Sequence, residues 1–316
     1  MRAVVVDSGE VRVEQRPDPV PGEGELLVAV EAAGLNGADL LQRAGRYPPP
    51  PGAPPDIPGM ELAGTVVSTG PGVSRHREGD RVMGLVGGGA QAELCLLPQE
   101  MAMAAPPGCS WPEAGGFPEV FTTAHDALVT QCGLARGERL LVTGAAGGVG
   151  LAAVQLGHRV GAEVVASVRN AGLREAVTGF GANEAIAPDG EEDHGPYDVV
   201  IELVGVGALP GHLRALRTGG RIVVIGVTGS GPTAELDALQ LMARRAVVRG
   251  STLRNRPLAE KAATARALER DVLGWLANGT VRVPVEATYP LERAAAAYDR
   301  FAAGGKLGKI VLVTGA

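Results

Sequence analysis

A chain of 316 residues, 45% apolar and 20% charged, is long enough for two domains and needs neither disulfides nor metal clips to hold a core. Its net charge of −6 argues against a general nucleic-acid binder, and no run of about eighteen apolar residues is present to span a membrane. The three cysteines, Cys95, Cys109 and Cys132, form no C-x-x-C pair, which suits a reduced protein of the cytoplasm.

The opening stretch MRAVVVDSGEVRVEQ alternates like a strand and hairpin, and it lacks the apolar core and cleavage site of a signal peptide. ELLVAVEAAGLN, ELAGTVVSTG and DRVMGLV are apolar runs closed by turn residues and predict further strands. GADLLQRAG has the helical spacing of Leu40, Leu41 and Ala44, and places Asp39 and Arg43 to pair at i,i+4 on the surface. From Tyr47 to Gly59 the segment YPPPPGAPPDIPG holds too much proline for a helix or a central strand. It predicts a stiff loop walling a pocket; the alternative is a proline-rich ligand for another protein.

From about Phe121 strands and helices alternate. Strands are predicted at 139–143, 163–168, 198–203, 220–226 and 246–250, and helices at 121–133, 148–160, 171–180 and 206–217. Unbroken apolar strands such as RIVVIGV indicate a parallel sheet covered on both faces. A long helix, PLAEKAATARALERDVLGWLANG, then leads to VRVPVEATYP, LERAAAAYDRFAAG and GKIVLVTG, a strand, a helix and a strand expected to return to the first domain.

The strongest single motif is RLLVTGAAGGVGLAAVQLGHRVGAEVVASVRN, where a buried strand runs into a Gly-rich turn and directly into a helix. In Ala145-x-Gly147-x-x-Gly150, Gly147 leaves room for a pyrophosphate and Gly150 lets the helix lie close on the strand. The helix start offers free N–H groups and partial positive charge to phosphates. The second strand ends in Ser167-Val168-Arg169-Asn170, without the acidic residue that accepts from the ribose of NAD. NADPH is therefore favoured, with Arg169 placed to fork onto a 2′-phosphate unless it is an ordinary surface arginine.

These segments, with LNGADLLQRAGRYPPPPGAPPDIPGMELAGTV, GGGAQAEL, FPEVFTTAHDAL, RGSTLRNRP and GKIVL, resemble a medium-chain dehydrogenase/reductase nearly end to end. Within that family the chain is similar to the zinc-free, zeta-crystallin-like quinone oxidoreductases, especially the damage-inducible quinone oxidoreductases of animals. The resemblance implies an α/β protein: a GroES-like, β-rich catalytic domain (1–120 and 256–316) and an inserted Rossmann domain with a doubly wound parallel sheet (121–255). It implies that Asn36 and Tyr47 face nicotinamide and substrate, and that Thr123 touches the nicotinamide end. Ala146, Gly147, Gly148 and Val149 would hold the pyrophosphate. Arg169, Asn170 and Arg174 would lie at the adenosine phosphate, Gly205 and Gly226 would line the cofactor, and Leu253 and Lys309 would border it. Zinc-dependent relatives carry Cys where this chain has Asn36 or Gly37, and His where it has Met60. A lone Glu61 cannot hold zinc, and the five histidines form no ligand spacing.

Without a metal, the charge developing on a reduced quinone oxygen needs hydrogen-bond donors, and the Tyr47 hydroxyl and Asn36 amide are the candidates. Asn36 also reads as a turn cap, and Tyr47 as a loop-packing residue. The leading expectation is an NADPH:quinone oxidoreductase. Its alternatives are a reductase of enone or alkenal double bonds and a non-catalytic NADPH-binding protein. The partners expected are a small-molecule quinone or enone and a second copy in a homodimer, joined through the edge strand in AVVRGS, with no nucleic acid and no membrane.

Overall fold

The computed structural model describes residues 1–226, 229 and 232–315. The chain divides into two units, Met1–Thr122 with Leu253–Ala316, and Thr123–Thr252. Of the sequence expectations, only the last residue of RIVVIGV, Val227, and the terminal Ala316 lie outside the described residues.

The first unit opens with β1 (Arg2–Asp7) and β2 (Glu10–Gln15), an antiparallel hairpin with Val4 opposite Val13. Next come β3 (Glu25–Gly34), α1 (Gly37–Arg43), β4 (Glu61–Thr69), β5 (Arg81–Leu85), β6 (Leu94–Pro98), β7 (Ala102–Ala104), α2 (Trp111–Gly115) and α3 (Pro118–His125). Along β3 Leu26, Val28 and Val30 are buried and the residues between them are half-buried, the alternation of a strand with one face on the core. The loop from Tyr47 to Gly59 contains neither helix nor strand, as its prolines dictate.

The second unit holds β8 (Arg139–Val142), α4 (Gly148–Val160), β9 (Glu163–Ser167), α5 (Arg174–Thr178), β10 (Glu184–Ile186), β11 (Tyr197–Glu202), α6 (Leu209–Arg214), β12 (Leu216–Val224), α7 (Ala238–Arg244) and β13 (Val247–Gly250). Its six strands are parallel in the order β10-β9-β8-β11-β12-β13, the nucleotide-binding arrangement in which the order reverses at β8. Leu141, Val165, Tyr197, Val200 and Ile222 fill one core of this sheet.

The chain then returns to the first unit with α8 (Leu258–Asp271), α9 (Leu273–Ala277), β14 (Val285–Pro290), α10 (Ala294–Ala302) and β15 (Lys309–Val313). β15 pairs antiparallel with β3, Leu312 opposite Ala33, and completes a sheet ordered β14-β15-β3-β4-β5-β7 with β6 also on β3.

Several element boundaries differ from expectation for local reasons. The predicted helix 121–133 stops at His125 and continues as a π-helical turn, Asp126–Gln131. The segment 171–180 is a 3-10 turn, Ala171–Leu173, capped by the Asn170 side chain, followed by α5. In 206–217 the helix ends at Arg214, because Leu216 already pairs with Tyr197 in the sheet. The long helix breaks at Val272, whose backbone (φ −125°, ψ −31°) leaves the helical range. The short strand β10 was not anticipated. Asp39 and Arg43 do not pair on the surface: Asp39 is 1% exposed, and Arg43 donates to the Gly9 carbonyl and reaches Asp299.

Candidate functional site

In the second unit the ends of four strands converge around the Gly-rich turn. Gly147 caps α4, and the Leu151 N–H closes the first helical bond to its carbonyl at 2.8 Å. Ala146, Gly147, Gly148 and Val149 are half-buried, so the helix N–H groups that lack intrahelical acceptors stand near the surface. Gly150 is needed for packing: a Cβ there would lie 2.5 Å from the Gly144 carbonyl oxygen and 2.6 Å from Ala145 Cα. The Ala145 N–H donates to Ser167 O at the end of β9, tying the turn to the next strand. At the end of β12 a Cβ on Gly226 would fall 2.1 Å from Leu203 O, so the ends of β11 and β12 approach as only glycine allows.

A residue the sequence reading passed over organises this edge. Glu202 ends β11 and is 1% exposed. Its Oε1 accepts from Val204 N–H (2.6 Å), Gly205 N–H (2.8 Å) and the Thr143 hydroxyl (3.0 Å). Thr143 accepts in turn from Leu203 N–H at 2.8 Å. One buried carboxylate thus fixes both the entry to the Gly-rich turn and the loop bearing Gly205. Behind it His212 lies 2.7 Å from Glu191 Oε2 and 3.4 Å from Glu202 Oε2. The signal was a carboxylate at the end of the apolar run DVVIE, where burial demands partners.

Beyond β9, Arg169 is exposed and has no hydrogen bond or ion pair among the described residues. Asn170 accepts from Gly172 N–H, while Arg174 Nε donates to Val168 O at 3.2 Å and so folds back over the strand end. Thr123 is buried in this unit.

In the first unit, Asn36 joins a buried network. Its Nδ2 donates to Glu61 Oε1 (2.9 Å) and Gly34 O (3.3 Å), and its Oδ1 accepts from Lys309 Nζ (2.8 Å). Lys309 donates also to Glu61 Oε1 (2.6 Å) and Leu35 O (2.7 Å), so all three of its protons are spent inside the unit. Expected at the cofactor, Lys309 instead braces Asn36 and Glu61. Glu61 Oε2 takes the Glu119 N–H at 2.8 Å. Beside this network Asp39 accepts from Asn36 N–H (2.8 Å) and Gly59 N–H (3.2 Å). Burial pushes the Asp39 carboxyl up to about 6, opposed by those N–H groups, Lys309 and Arg254.

Tyr47 stands half-buried at the head of the proline-rich loop. Arg254, also missed from sequence, carries it. The guanidinium sits 5.0 Å from the Tyr47 ring centroid and donates to Tyr47 O (3.2 Å), Gln42 Oε1 (2.7 Å) and Gly87 O (2.8 Å). Leu253 packs into the core with Leu62 and Leu85. A cavity of about 840 Å³ extends from Arg254, with Pro50, Pro51 and Pro54 among its walls, so the loop does wall a pocket. Burial raises Cys95 to about 12 and Cys109 and Cys132 to about 11, which leaves their thiols poor nucleophiles. Among the described residues no helix is long and apolar enough to cross a membrane.

Residues 22–132 match the Alcohol dehydrogenase GroES-like domain family, and residues 172–312 the Zinc-binding dehydrogenase family. The chain is 31% identical over 311 residues to the Quinone oxidoreductase of Mus musculus, covering 93% of this chain and 91% of that one. It is 32% identical over 298 residues to Polyketide synthase GfsB of Streptomyces halstedii, covering 92% of this chain but 5% of that protein's length. The structure of the quinone oxidoreductase from Thermus thermophilus, solved also in complex with NADPH, aligns with a TM-score of 0.85 at 33% identity over 99% of this chain and 100% of that one. An NAD-dependent alcohol dehydrogenase aligns with a TM-score of 0.87 at 27% identity over 100% of both chains.

A zinc ion of the kind the second family is named for takes four ligands including N or S donors. Asn36 is hydrogen-bonded to the Glu61 carboxylate and the Lys309 ammonium, and the residue before Glu61 is Met60. Both Glu61 oxygens already accept hydrogen bonds from neighbours, and an ammonium repels a cation. These residues do not fit zinc, and among the described residues no three His, Cys, Asp or Glu come together as a metal-holding group.

Proposed function

Because the chain belongs to the medium-chain dehydrogenase/reductase family, as a homologue of the quinone oxidoreductases, we propose that it transfers a hydride from NADPH to a quinone without a metal ion. The observation that carries this reading is the 31% identity, over 93% of this chain, with a quinone oxidoreductase in a chain that keeps the Gly-rich turn. When bound, NADPH supplies the hydride. The α4 N-terminus, with Ala146, Gly147, Gly148 and Val149, receives the pyrophosphate. Arg169, with Asn170 and Arg174 beside it, meets the 2′-phosphate. Thr123, Gly205 and Gly226 line the rest of the cofactor. The choice of NADPH rests on Arg169 and the missing acid, since an NAD-dependent enzyme shares the fold.

Tyr47 is proposed to donate to the quinone oxygen as negative charge develops there. Asn36 acts behind it, its amide held by Glu61 and Lys309. The test is a panel of quinones and alkenals assayed with NADPH and NADH in parallel, on protein whose metal content is measured. Quinone reduction with NADPH, unaffected by chelators, is the expected result. Faster alkenal reduction selects a double-bond reductase, and tight NADPH binding without turnover selects a binding protein. A zinc ion bound at one per chain, with activity lost on chelation, overturns the metal-free reading.

The proposed assembly is a homodimer in the cytoplasm. β13 is the edge of its sheet, and Val247, with Leu239 and Met242 of α7, exposes apolar surface there at 38%, 76% and 71%. Light scattering at about 64 kDa supports it; a concentration-independent monomer does not.

A further inference from the structure

None of the residues given a part in the reaction above lines the 840 Å³ cavity of the first unit. One wall is the proline-rich loop. Packed directly against that loop runs Gly87–Gly88–Gly89, where a Cβ on Gly87 would come within 2.8 Å of Pro50 Cγ. Leu85, Val86, Leu94 and Met101 make the surroundings apolar, and the start of α8 closes one end. The volume suits a drug-sized molecule.

The charges on the lining are uneven. Arg254, Arg256 and Lys261 contribute cations, while Glu25 is the one carboxylate among the lining residues. Glu25 Oε2 accepts from Gly22 N–H, and Arg254 has its donors placed on Gly87, Tyr47 and Gln42. Lys261 is different. Its ammonium has no ion pair and no hydrogen bond among the described residues, although it is half-buried and lines both this cavity and a smaller one beside Met60 and Glu119. Burial lowers its pKa, and no neighbour opposes that shift. A partly desolvated cation at the rim of an apolar cavity gains from an opposite charge brought in beside it.

We propose that this cavity binds an apolar small molecule carrying one acidic group, with the acid against the Lys261 ammonium and the apolar body along the Leu85–Met101 wall. Arg254 belongs to the cavity wall and also holds the Tyr47 carbonyl, so an occupant is placed to influence the Tyr47 loop.

The test is calorimetric titration of the full-length protein with decanoate and, as the uncharged counterpart, 1-decanol. Decanoate is expected to bind at one site per chain, about five-fold tighter than decanol, the upper range of a partly exposed ion pair. In Lys261→Gln that advantage disappears while decanol affinity is unchanged. Lys261→Arg keeps the charge and restores it. Equal affinity for the two ligands, an equal loss of both in Lys261→Gln, or no decanoate binding at all overturns the proposal. Because these titrations need no turnover, their outcome is separate from that of the quinone assay.

Discussion

Lys309 Nζ stands 2.6 Å from Glu61 Oε1, the two residues 248 positions apart in the chain and their side chains 2% and 0% exposed. The pair is satisfied from both sides: Glu61 also takes the Asn36 amide and the Glu119 N–H, and Lys309 also reaches Leu35 O and Asn36 Oδ1. Removing one partner leaves the other charge buried and alone. Lys309→Met is therefore expected to lower the unfolding free energy by about 3–5 kcal/mol in urea titrations. The double variant Lys309→Met/Glu61→Gln should recover part of that loss, because no bare charge remains. Simple additivity of the two single changes would show that the ion pair is not coupled.

Asp39 supplies a pH dependence with a defined sign. Its carboxyl is pushed up to about 6 from the usual 3.8, chiefly by burial, so the folded state takes up the proton first. Its contribution to stability is then fully present below about pH 4 and lost as pH rises through about 6. Relative to Asp39→Asn, the wild-type protein should gain on the order of 2 kcal/mol between about pH 7 and about pH 4. A difference that stays flat across this range would mean that Asp39 titrates as an ordinary surface carboxylate.

Arg169 is exposed and unpartnered among the described residues, so truncating it removes nothing the folded protein needs. Arg169→Ala is expected to weaken NADPH about ten- to a hundred-fold, as loss of a charge-assisted hydrogen bond does, and to leave NADH affinity nearly unchanged. Fluorescence titration with both cofactors checks this. An equal loss for both would assign Arg169 a structural role.

For Tyr47, losing the hydroxyl and losing the ring should separate. Tyr47→Phe keeps the ring against the Arg254 guanidinium and should lower kcat for quinones by about a hundred-fold with little change in KM. Tyr47→Ala should also raise KM. Full turnover in Tyr47→Phe would remove the hydroxyl from the reaction.

Local signals were legible in the sequence and long-range ones were not. The strand, Gly-rich turn and helix around Gly147 could be read because their geometry is imposed by neighbours in sequence. The prolines after Tyr47 announced a loop for the same reason. Asp39 misled: its i,i+4 spacing to Arg43 is real, but Gly59 N–H, distant in sequence, draws it inward. Arg254 under Tyr47 and Lys309 against Glu61 depend on which strands and loops become neighbours, which no local pattern encodes. Leu216 belonged to a helical periodicity until pairing with Tyr197 claimed it for the sheet.

The position of β15 in its sheet also sets a timetable for synthesis. β3 leaves the ribosome long before β15, yet part of its edge, Ala32 to Gly34, is covered only when Val311 to Val313 emerge. The whole of Thr123–Thr252 is made in the interval, so the inserted unit can fold while its host still waits for a strand. Until then Glu61 has no ammonium beside it and the edge of β3 is open to other chains. Translation stalled before Lys309 should therefore yield a folded nucleotide-binding unit attached to an aggregation-prone remainder.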